Sequence, residues 1–386
     1  MVVAADQWAY DKMTGIPPIE NPEPRSSSGT RRLTRRAYLK YVAGATAAVI
    51  AGIAAYWAIK PKEGTTSATG TAQTTRTVYT GETSLAPHEL IVEPDDGRTA
   101  ILAALQDAKR SVDLTIYELD DPQVEASLVA ARNRGVDIRV LYNYHSFAAE
   151  GVKDPNQPTV DALTRVGIQT RRASGSFAVT HQKTFLIDGS VAIIMTFNLG
   201  SNYFQGTRDL GIITTDAAEV MEVQRVFEGD WNYERVAPTL PALVWSPDNS
   251  REKILNLINR AARTLDVYSE EVGDQECIEA LISAAKRGVT VRLLSAQMLK
   301  EGRDLNAPAR QTLGDGGVQA KAGTGLYTHA KMILVDYGRG GQTAFIGSEN
   351  LSSASLDKNR ELGILVTEQA ILDRLCNVFE NDWAGG

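Results

Sequence analysis

The chain has 386 residues, of which 43% are hydrophobic and 23% are charged, a composition that fits a globular protein and excludes collagen-like or wholly disordered chains. Its formal net charge is −7, and residues 64–386 alone have 31 basic and 42 acidic side chains, a charge of −11. Because nonspecific nucleic-acid binding depends on basic surfaces, this acidic body disfavours such a function, although a local basic groove would be compatible with it.

The first sixty residues have the composition of a leader followed by an anchor. Residues 1–30 combine four prolines with a serine run and are expected to be disordered. Residues 34–40, TRRAYLK, look like a twin-arginine export signal, and residues 41–59 are nineteen uncharged residues, close to the ~20 that span a bilayer. Basic residues before an apolar run leave the N-terminus in the cytoplasm and the body outside. We therefore expect residues 31–60 to be a retained anchor exported by the twin-arginine machinery, with cleavage and secretion as the alternative.

The rest of the chain contains a tandem repeat. Residues 61–84 are rich in Thr and Ser and are predicted to be a flexible stalk. Beyond them, residues 98–113 and 134–141 recur at a constant offset of 153 residues as 251–266 and 287–294. Such an offset indicates a duplication, so we predict a first lobe at residues 85–240 and a second at residues 241–386.

Each lobe begins with the same series of elements: an amphipathic helix, an apolar strand and a second helix that ends at Gly135 or Gly288. The predicted ranges are 99–111 and 252–263 for the first helix, 112–117 and 264–268 for the strand, and 122–134 and 275–287 for the second helix. Strands that alternate with helices predict an α/β fold with a largely parallel or mixed sheet.

One pattern of polar residues occurs in both lobes. It consists of a histidine, a lysine two residues later, an aspartate five residues after the lysine, and then an asparagine. The members are His181, Lys183, Asp188 and Asn198 in the first lobe, and His329, Lys331, Asp336, Ser348 and Asn350 in the second. In an extended chain alternate side chains share a face, so the histidine and lysine of each pair point the same way. A histidine beside a fixed cation suits a phosphate ester.

These residues resemble the signature of the phospholipase D superfamily, H-x-K-x4-D-x6-G-S-x-N, which occurs twice per active site. The second copy has ten residues between Asp336 and Gly347, and a lengthened hairpin loop at residues 337–342 would absorb the difference. The first copy has Met195 and Thr196 in place of Gly and Ser, where Gly would allow close approach of the backbone to substrate. The resemblance implies two α/β-sandwich lobes packed face to face, with one shared active site at their interface.

The resemblance also assigns roles to the acidic residues. Asp209 lies 28 residues after His181, and Glu361 lies 32 residues after His329, four of which belong to the longer loop. An acidic residue here is expected to hydrogen-bond the catalytic histidine and fix its tautomer, with a surface ion pair to the neighbouring arginine as the alternative. The motif aspartates, Asp188 and Asp336, are expected to support the site, although Asp188 also precedes a glycine in a typical hairpin turn.

The implied mechanism is a two-step phosphoryl transfer that needs no metal or other cofactor. One histidine attacks phosphorus and forms a phosphohistidine, while the other protonates the leaving alcohol and then activates water or a second alcohol. By analogy we expect His181 to be the nucleophile. Lys183, Lys331, Asn198 and Asn350 would hold the phosphate oxygens where charge develops.

Export and an anchor would place the enzyme beside lipid, so we predict a phospholipase D-like phosphodiesterase that acts on membrane phospholipids as a monomer. Three alternatives stay open: an exported endonuclease, a cardiolipin-synthase-like phosphatidyltransferase, and a non-catalytic scaffold that binds phosphate. Members of the synthase group usually have two membrane spans, whereas one is visible here. The acidic body disfavours the endonuclease.

Several other residues are weaker candidates. His145 follows a predicted strand and would either line the pocket or lie on an exposed loop, and His88 has no evident role. Tyr203 and Phe204 either enter a membrane interface or pack their loop onto the body. Cys277 and Cys376 leave open whether they form a disulfide or remain buried thiols, since they lie far apart in sequence.

Overall fold

The computed structural model describes residues 87–144, 154–300 and 302–385. The predictions for residues 1–30, 31–60 and 61–84, and for His145, therefore lie outside the described residues. No helix within the described ranges combines the length and the apolar composition needed to cross a membrane.

The first lobe is built on a mixed sheet. Its strands are β1 (His88–Glu93), β2 (Ser111–Ile116), β3 (Asp137–Tyr142), β4 (Gln169–Arg172), β5 (Thr184–Ile187), β6 (Val191–Met195) and β7 (Thr207–Thr214). They lie in the order β1-β7-β6-β5-β2-β3-β4. Strands β2, β3 and β4 are parallel to one another, and the remaining neighbours pair antiparallel.

The second lobe repeats this sheet. The strands after the first lobe are β8 (Leu243–Ser246), β9 (Thr264–Ser269), β10 (Thr290–Ser295), β11 (Leu299–Lys300), β12 (Arg303–Asp304), β13 (Gln319–Ala322), β14 (Tyr327–Thr328), β15 (Met332–Val335), β16 (Thr343–Gly347) and β17 (Glu361–Val366). The second sheet has the order β8-β17-β16-β15-β9-β10-β13, which matches the first sheet strand for strand. The two tandem α/β lobes predicted from the repeat are confirmed.

Helices cover both sheets. They are α1 (Thr99–Asp107), α2 (Pro122–Asn133), α3 (Gln157–Arg165), α4 (Ala217–Asn232), α5 (Ser250–Arg260), α6 (Gln275–Lys286), α7 (Ala307–Asp315), α8 (Ser353–Asp357) and α9 (Gln369–Gly385). Asp121 and Asp274 cap the starts of α2 and α6 with side-chain hydrogen bonds to main-chain N–H groups. As predicted, both helices end next to a glycine with positive φ, Gly135 at 93° and Gly288 at 92°.

Two helices end earlier than the sequence predicts. Helix α1 stops at Asp107 instead of residue 111, and α5 stops at Arg260 instead of residue 263. In each case a motif aspartate accepts hydrogen bonds from the main-chain N–H groups that follow the helix, at residues 109–111 and 262–264. The next helical turn would need those N–H groups, so the helix cannot continue.

The core of the described residues has three large clusters and a small one at Leu141, Phe227 and Trp231, and one of the large clusters is common to both lobes. Helices α1–α3 pack on the outer face of the first sheet, and α5–α7 pack on the outer face of the second. The inner faces of both sheets, with α4 and α9, form a single apolar cluster that includes Ile212 and Val223 from the first lobe and Ile364 and Leu375 from the second. The lobes consequently belong to one compact unit.

Candidate active site

The two motif histidines lie where one lobe meets the other. Each belongs to an extended segment that precedes a strand, because β5 begins at Thr184 and β15 at Met332. The main-chain N–H of His181 donates to the carbonyl oxygen of Arg360 at 2.9 Å, and the N–H of His329 donates to that of Arg208 at 3.2 Å. Strand β14 also pairs parallel with β7 of the first lobe. Each lobe thus holds the other lobe's histidine segment in place.

The carboxylates that orient the histidines come from the opposite lobe. His181 Nδ1 lies 2.8 Å from Glu361 Oε2, and His329 Nδ1 lies 2.8 Å from Asp209 Oδ1. Both acidic residues that the spacing marked contact a motif histidine, as expected, and in each case that histidine belongs to the other lobe. The alternative of an ion pair with the adjacent arginine does not occur, because Arg208 pairs with Asp382 and Arg360 with Asp230.

Both orienting carboxylates are fully buried and remain ionised. Burial alone would raise the pKa of Asp209, but the charge and hydrogen bond of His329, together with the charge of Lys331, lower it below its usual range. Burial likewise opposes ionisation of Glu361, and His181 and Lys183 lower its pKa. A carboxylate that accepts a hydrogen bond from Nδ1 fixes the tautomer and leaves Nε2 as the reacting nitrogen.

Hydroxyl and amide groups hold these carboxylates. Asp209 accepts hydrogen bonds from the hydroxyls of Thr196 and Thr207, both at 2.6 Å. The Thr196 hydroxyl also accepts from the N–H of Leu210 at 2.9 Å, and the Ser348 hydroxyl accepts from the N–H of Leu362 at 3.2 Å. Thr196 therefore fills the structural position of the motif serine. The structure places the Ser348 hydroxyl on the main chain of the neighbouring strand.

Glu361 is held in the same manner by two residues that the sequence analysis did not single out. The Ser355 hydroxyl donates to Glu361 Oε1 at 2.6 Å, and the amide nitrogen of Asn359 donates to the same oxygen at 3.1 Å. Both donors are buried and lie within six residues of Glu361 along the chain. The sequence signal that could have identified these two residues is the short stretch with Ser and Asn just before Glu361, the acidic residue that begins β17.

The motif lysines have different environments in the two lobes. Lys183 Nζ donates to the carbonyl oxygen of His181 at 2.6 Å and lies 5.0 Å from the ring centre of Tyr117. Lys331 Nζ instead donates to Glu270 Oε2 at 3.0 Å. Both lysines are only 1% exposed. The two halves of the site therefore share their histidines but differ in what surrounds the cations.

An aromatic ring packs against each histidine. Tyr117 meets His181 edge to face at 4.8 Å, and Tyr203 meets His329 at 4.9 Å. Two roles were open for Tyr203 and Phe204, and the structure buries both in the body, with Phe204 packed on Phe197. Tyr203 thereby becomes a residue of the site.

The motif asparagines also differ. The Asn350 side-chain oxygen accepts a hydrogen bond from the N–H of Glu271 at 3.0 Å. Asn198 is fully buried, and neither its amide oxygen nor its amide nitrogen has a hydrogen-bond partner within the described parts of the chain. Because a buried amide without partners is costly, Asn198 fits a role in holding an oxygen of a bound substrate.

The motif aspartates turn away from this arrangement. Asp188 accepts hydrogen bonds from the N–H groups of Lys109, Arg110 and Ser111 at 2.6–2.9 Å. Asp336 accepts from the corresponding residues 262–264 of the second lobe. Both have positive φ, 54° and 50°, and each is the first residue of the connection between β5 and β6 or between β15 and β16. Their carboxylates join a turn to a helix end, which fits the turn role that the sequence allowed for Asp188.

The glycine of the second motif, Gly347, is needed for the packing of the protein and not for the approach of substrate that the sequence suggested. A Cβ on Gly347 would lie 2.4 Å from Glu349 Oε2 and 2.4 Å from the Cα of Gly363. The space beside this glycine is therefore filled by the protein itself and not by close approach of substrate. In the first lobe Met195 pairs with Gly211 at the matching position and is buried in the core of that lobe.

Two further acids lie behind the orienting carboxylates, and the sequence analysis missed both. Glu349 is 1% exposed, and burial followed by the negative charge of Glu361 raises its pKa well above the usual range. Glu93 lies opposite Asp209 on β1, and burial followed by the charge of Asp209 raises its pKa to about 9. The side chain of Glu93 is accordingly protonated at neutral pH, and burial beside Glu361 favours the protonated form of Glu349.

The structure also places the histidine, the cysteines and the loop for which the sequence left the role open. His88 is not incidental, because its ring is bracketed by Glu219 and Glu368 at a contact between the lobes. Cys277 and Cys376 are free thiols. The loop predicted to absorb the longer spacer of the second motif is present between β15 and β16.

The comparison with known proteins decides the family. A family model described as "Cardiolipin synthase, PLD-like domain" matches residues 101–231 and, a second time, residues 254–383. The chain belongs to this family. The duplicated phospholipase D-like domain is thus the unit that the 153-residue offset reveals.

Relatives of this phospholipase D-like chain include enzymes of cardiolipin metabolism. Cardiolipin synthase of Listeria monocytogenes serotype 4a (strain HCC23) is 24% identical over 344 residues, which cover 76% of this chain and 68% of that protein. Mitochondrial cardiolipin hydrolase of Xenopus laevis is 26% identical over 137 residues, which cover 36% of this chain and 62% of that protein.

Two solved structures share the fold of the paired phospholipase D-like domains. Phosphatidylserine synthase of Haemophilus influenzae Rd KW20 has a TM-score of 0.59 and 12% identity, and the match covers 77% of this chain and 86% of that one. Polyphosphate kinase from Porphyromonas gingivalis has a TM-score of 0.61 and 18% identity, with 76% of this chain and 46% of that chain covered.

The geometry of the phospholipase D-like site defines what its residues can do. Each histidine has one nitrogen fixed by an ionised carboxylate, so the other can attack as a neutral base or donate as an imidazolium. Lys183 and Lys331 supply fixed positive charge for phosphate oxygens. The arrangement therefore suits a phosphodiester that is attacked on one side and protonated on the other.

Proposed function

We propose that this protein cleaves phospholipid phosphodiesters through a phosphohistidine intermediate and passes the phosphatidyl group to water or to an alcohol. The observation that carries the proposal is the pair of histidine–carboxylate contacts across the lobe interface, His181 with Glu361 and His329 with Asp209. They prepare two histidines for complementary roles in one site. We assign His181 as the nucleophile and His329 as the acid and base.

In the first step His181 Nε2 forms a bond to phosphorus while the bond to the leaving alcohol breaks, and that alcohol takes a proton from His329 Nε2. In the second step water or an alcohol attacks phosphorus, gives its proton to His329 and releases His181. Lys183, Lys331 and Asn198 would stabilise the charge on the phosphate oxygens, with Asn350 as their counterpart in the second lobe. Because lysines supply this charge, we expect turnover to persist in excess chelator.

Transfer to an alcohol is a second outcome of the same intermediate. The family model and the Listeria relative carry the name cardiolipin synthase, whereas the Xenopus relative is named a hydrolase. These names favour transfer to an alcohol over hydrolysis alone. The assay must therefore detect both phosphatidic acid and a transferred phosphatidyl group.

We also propose that the catalytic body is monomeric and faces the outside of the cell membrane. The twin-arginine-like residues 34–40 and the uncharged run at residues 41–59 support this location. A membrane-bound enzyme meets its lipid substrate at the surface that holds it. An exported nuclease is the alternative for the same site, and the charge of −11 on residues 64–386 disfavours it.

The deciding experiment offers the full chain phospholipid vesicles and plasmid DNA in parallel, in excess chelator and with an alcohol present. We expect released head group together with phosphatidic acid or a phosphatidyl alcohol, and no product from the His181→Ala and His329→Ala variants. Cleavage of DNA with intact lipid would identify a nuclease instead. Wild-type product levels in both variants would exclude the proposed chemistry.

A further inference from the structure

Among the positions at which the duplicated halves differ, one places unlike side chains directly against the two motif histidines. Residues 117 and 270 correspond at the 153-residue offset, and both follow the strand that leads into the site, β2 or β9. Tyr117 presents its ring to His181 at 4.8 Å. Glu270 presents a carboxylate, with Oε2 3.4 Å from His329 Nε2 and 3.0 Å from Lys331 Nζ. A neutral ring in one half is thus replaced by an anion in the other.

Glu270 is held firmly in this position. It is 1% exposed, and the Tyr327 hydroxyl donates to Oε1 at 3.0 Å, so Oε2 is the oxygen that faces the histidine and the lysine. The amide nitrogen of Asn306 donates to the carbonyl oxygen of Glu270 at 2.6 Å, and Asn156 does the same for Tyr117 at 2.8 Å. The protein therefore fixes the backbone of both positions and varies only the side chain.

If Glu270 served only as a charge partner for Lys331, its contact with His329 would be left unexplained. Lys183 in the other half donates to the carbonyl oxygen of His181 and lies 5.0 Å from the ring centre of Tyr117, the residue that corresponds to Glu270. The approach of Oε2 to His329 Nε2 needs a separate reason, because Nε2 is the atom that exchanges a proton with the alcohol. An anion there repels phosphate oxygens but accepts a hydrogen bond from a hydroxyl.

We propose that Glu270 binds the alcohol exchanged at His329 and selects alcohols that have a second hydroxyl group. This inference rests on the proposed function. As one hydroxyl of the entering alcohol attacks phosphorus and gives its proton to His329 Nε2, the neighbouring hydroxyl donates a hydrogen bond to Glu270. The bond between His181 and phosphorus breaks in the same step. Glu270 forms no covalent bond in either step.

The test is a competition between two three-carbon alcohols. The full-length wild type, Glu270→Gln and Glu270→Leu are given phospholipid vesicles with glycerol and 1-propanol at equal concentrations, and the two phosphatidyl products are quantified. A hydrogen bond to a charged group contributes about 1.5–3 kcal/mol, and 1.4 kcal/mol corresponds to about tenfold. We expect the glycerol-to-propanol ratio to fall about tenfold or more in Glu270→Leu and by less in Glu270→Gln.

The product ratio does not depend on how much of each variant is folded, since both products come from the same active molecules. Glu276→Gln, an exposed glutamate on α6, is the matched control and should keep the wild-type ratio. Active Glu270 variants with an unchanged ratio would overturn the inference. So would complete loss of turnover in both variants, because Glu270 would then be needed for the chemistry itself. A wild type that forms no product from lipid would instead refute the proposed function.

Discussion

His181 in the first lobe is oriented by Glu361 of the second, with 2.8 Å between Nδ1 and Oε2. The reverse pair, His329 with Asp209, has the same distance. A histidine and its carboxylate therefore never belong to the same repeat. Neither repeat contains a complete half-site, and the packing of the lobes completes both.

Replacing Glu361 with Gln should lower the rate of phosphodiester turnover by about 10²- to 10⁴-fold, because an amide no longer enforces the Nδ1–H tautomer. The fold should persist, since Gln has nearly the shape of Glu and can still accept from Ser355. Turnover and the melting temperature are measured together. Asp209→Asn is the matched variant on the other histidine and should show a comparable loss. Near wild-type turnover in either variant would contradict the orienting role.

Because of His88, the stability of the folded protein should fall at alkaline pH. Burial would lower its pKa, but hydrogen bonds and the negative charges of Glu219 and Glu368 outweigh that effect and raise it to about 9. A group whose folded pKa is raised stabilises the protein fully below its unfolded pKa of ~6.5. That contribution is lost as the pH rises through about 9.

The measurement is the melting temperature of the wild type and of His88→Gln between pH 6 and 10. We expect the wild type to be the more stable protein at pH 6 and to lose this advantage by pH 10. Comparing the two proteins cancels the titration of all other groups. An advantage that stays constant over this range would show that His88 does not titrate as described.

Glu349→Gln should stabilise the protein increasingly as pH rises. Because its pKa is raised in the folded state, Glu349 keeps its proton to a higher pH there than in the unfolded chain, which releases that proton above pH ~4.5. The wild type therefore loses stability with rising pH, by about 1.4 kcal/mol per pH unit for one proton, and a neutral Gln does not. Urea unfolding at pH 5, 6.5 and 8 measures the difference. Equal slopes for the two proteins would exclude a protonated Glu349.

Asp188→Ala should reduce stability more than turnover. Its carboxylate accepts three main-chain hydrogen bonds, as the side chain of a helix cap does. Loss of a helix cap lowers the free energy of unfolding by about 1–2 kcal/mol. Those bonds also lower the pKa of Asp188 against the effect of partial burial, so its contribution is lost only as pH falls through that lowered value. Asp336→Ala is the matched change in the second lobe. Turnover is measured well below each melting temperature, and a fall of 10³-fold or more would restore a catalytic role.

The repeat and the motif spacing predicted the local features of this protein, whereas the histidine that each carboxylate contacts depends on how the lobes pack. The 153-residue offset revealed both sheets, because equivalent strands repeat in order along the chain. The spacing from histidine to acid was constant, so Asp209 and Glu361 were identified correctly. The exchange of partners joins residues 180 and 120 positions apart, and no local spacing contains that information.

Other site residues were missed for related reasons. The difference between Tyr117 and Glu270 is visible in the aligned repeats, but its meaning depends on their distance from the histidines. The sequence did contain a signal for Asn156 and Asn306. Each begins an Asn-x-Pro triplet at the start of a helix, and the two lie 150 residues apart. Met195 seemed to weaken the first motif, whereas the glycine at the matching position, Gly347, is required by the protein's own packing against Glu349 and Gly363.

The exchanged histidine segments also limit how this molecule can move. Many two-lobed enzymes admit substrate by swinging their lobes apart about a hinge. Here such a motion would separate β14 from β7, break both histidine–carboxylate contacts and expose the apolar cluster that the lobes share. The chain between α4 and β8 is then a tether and not a hinge. Admission of substrate must then depend on the loops around a rigid frame.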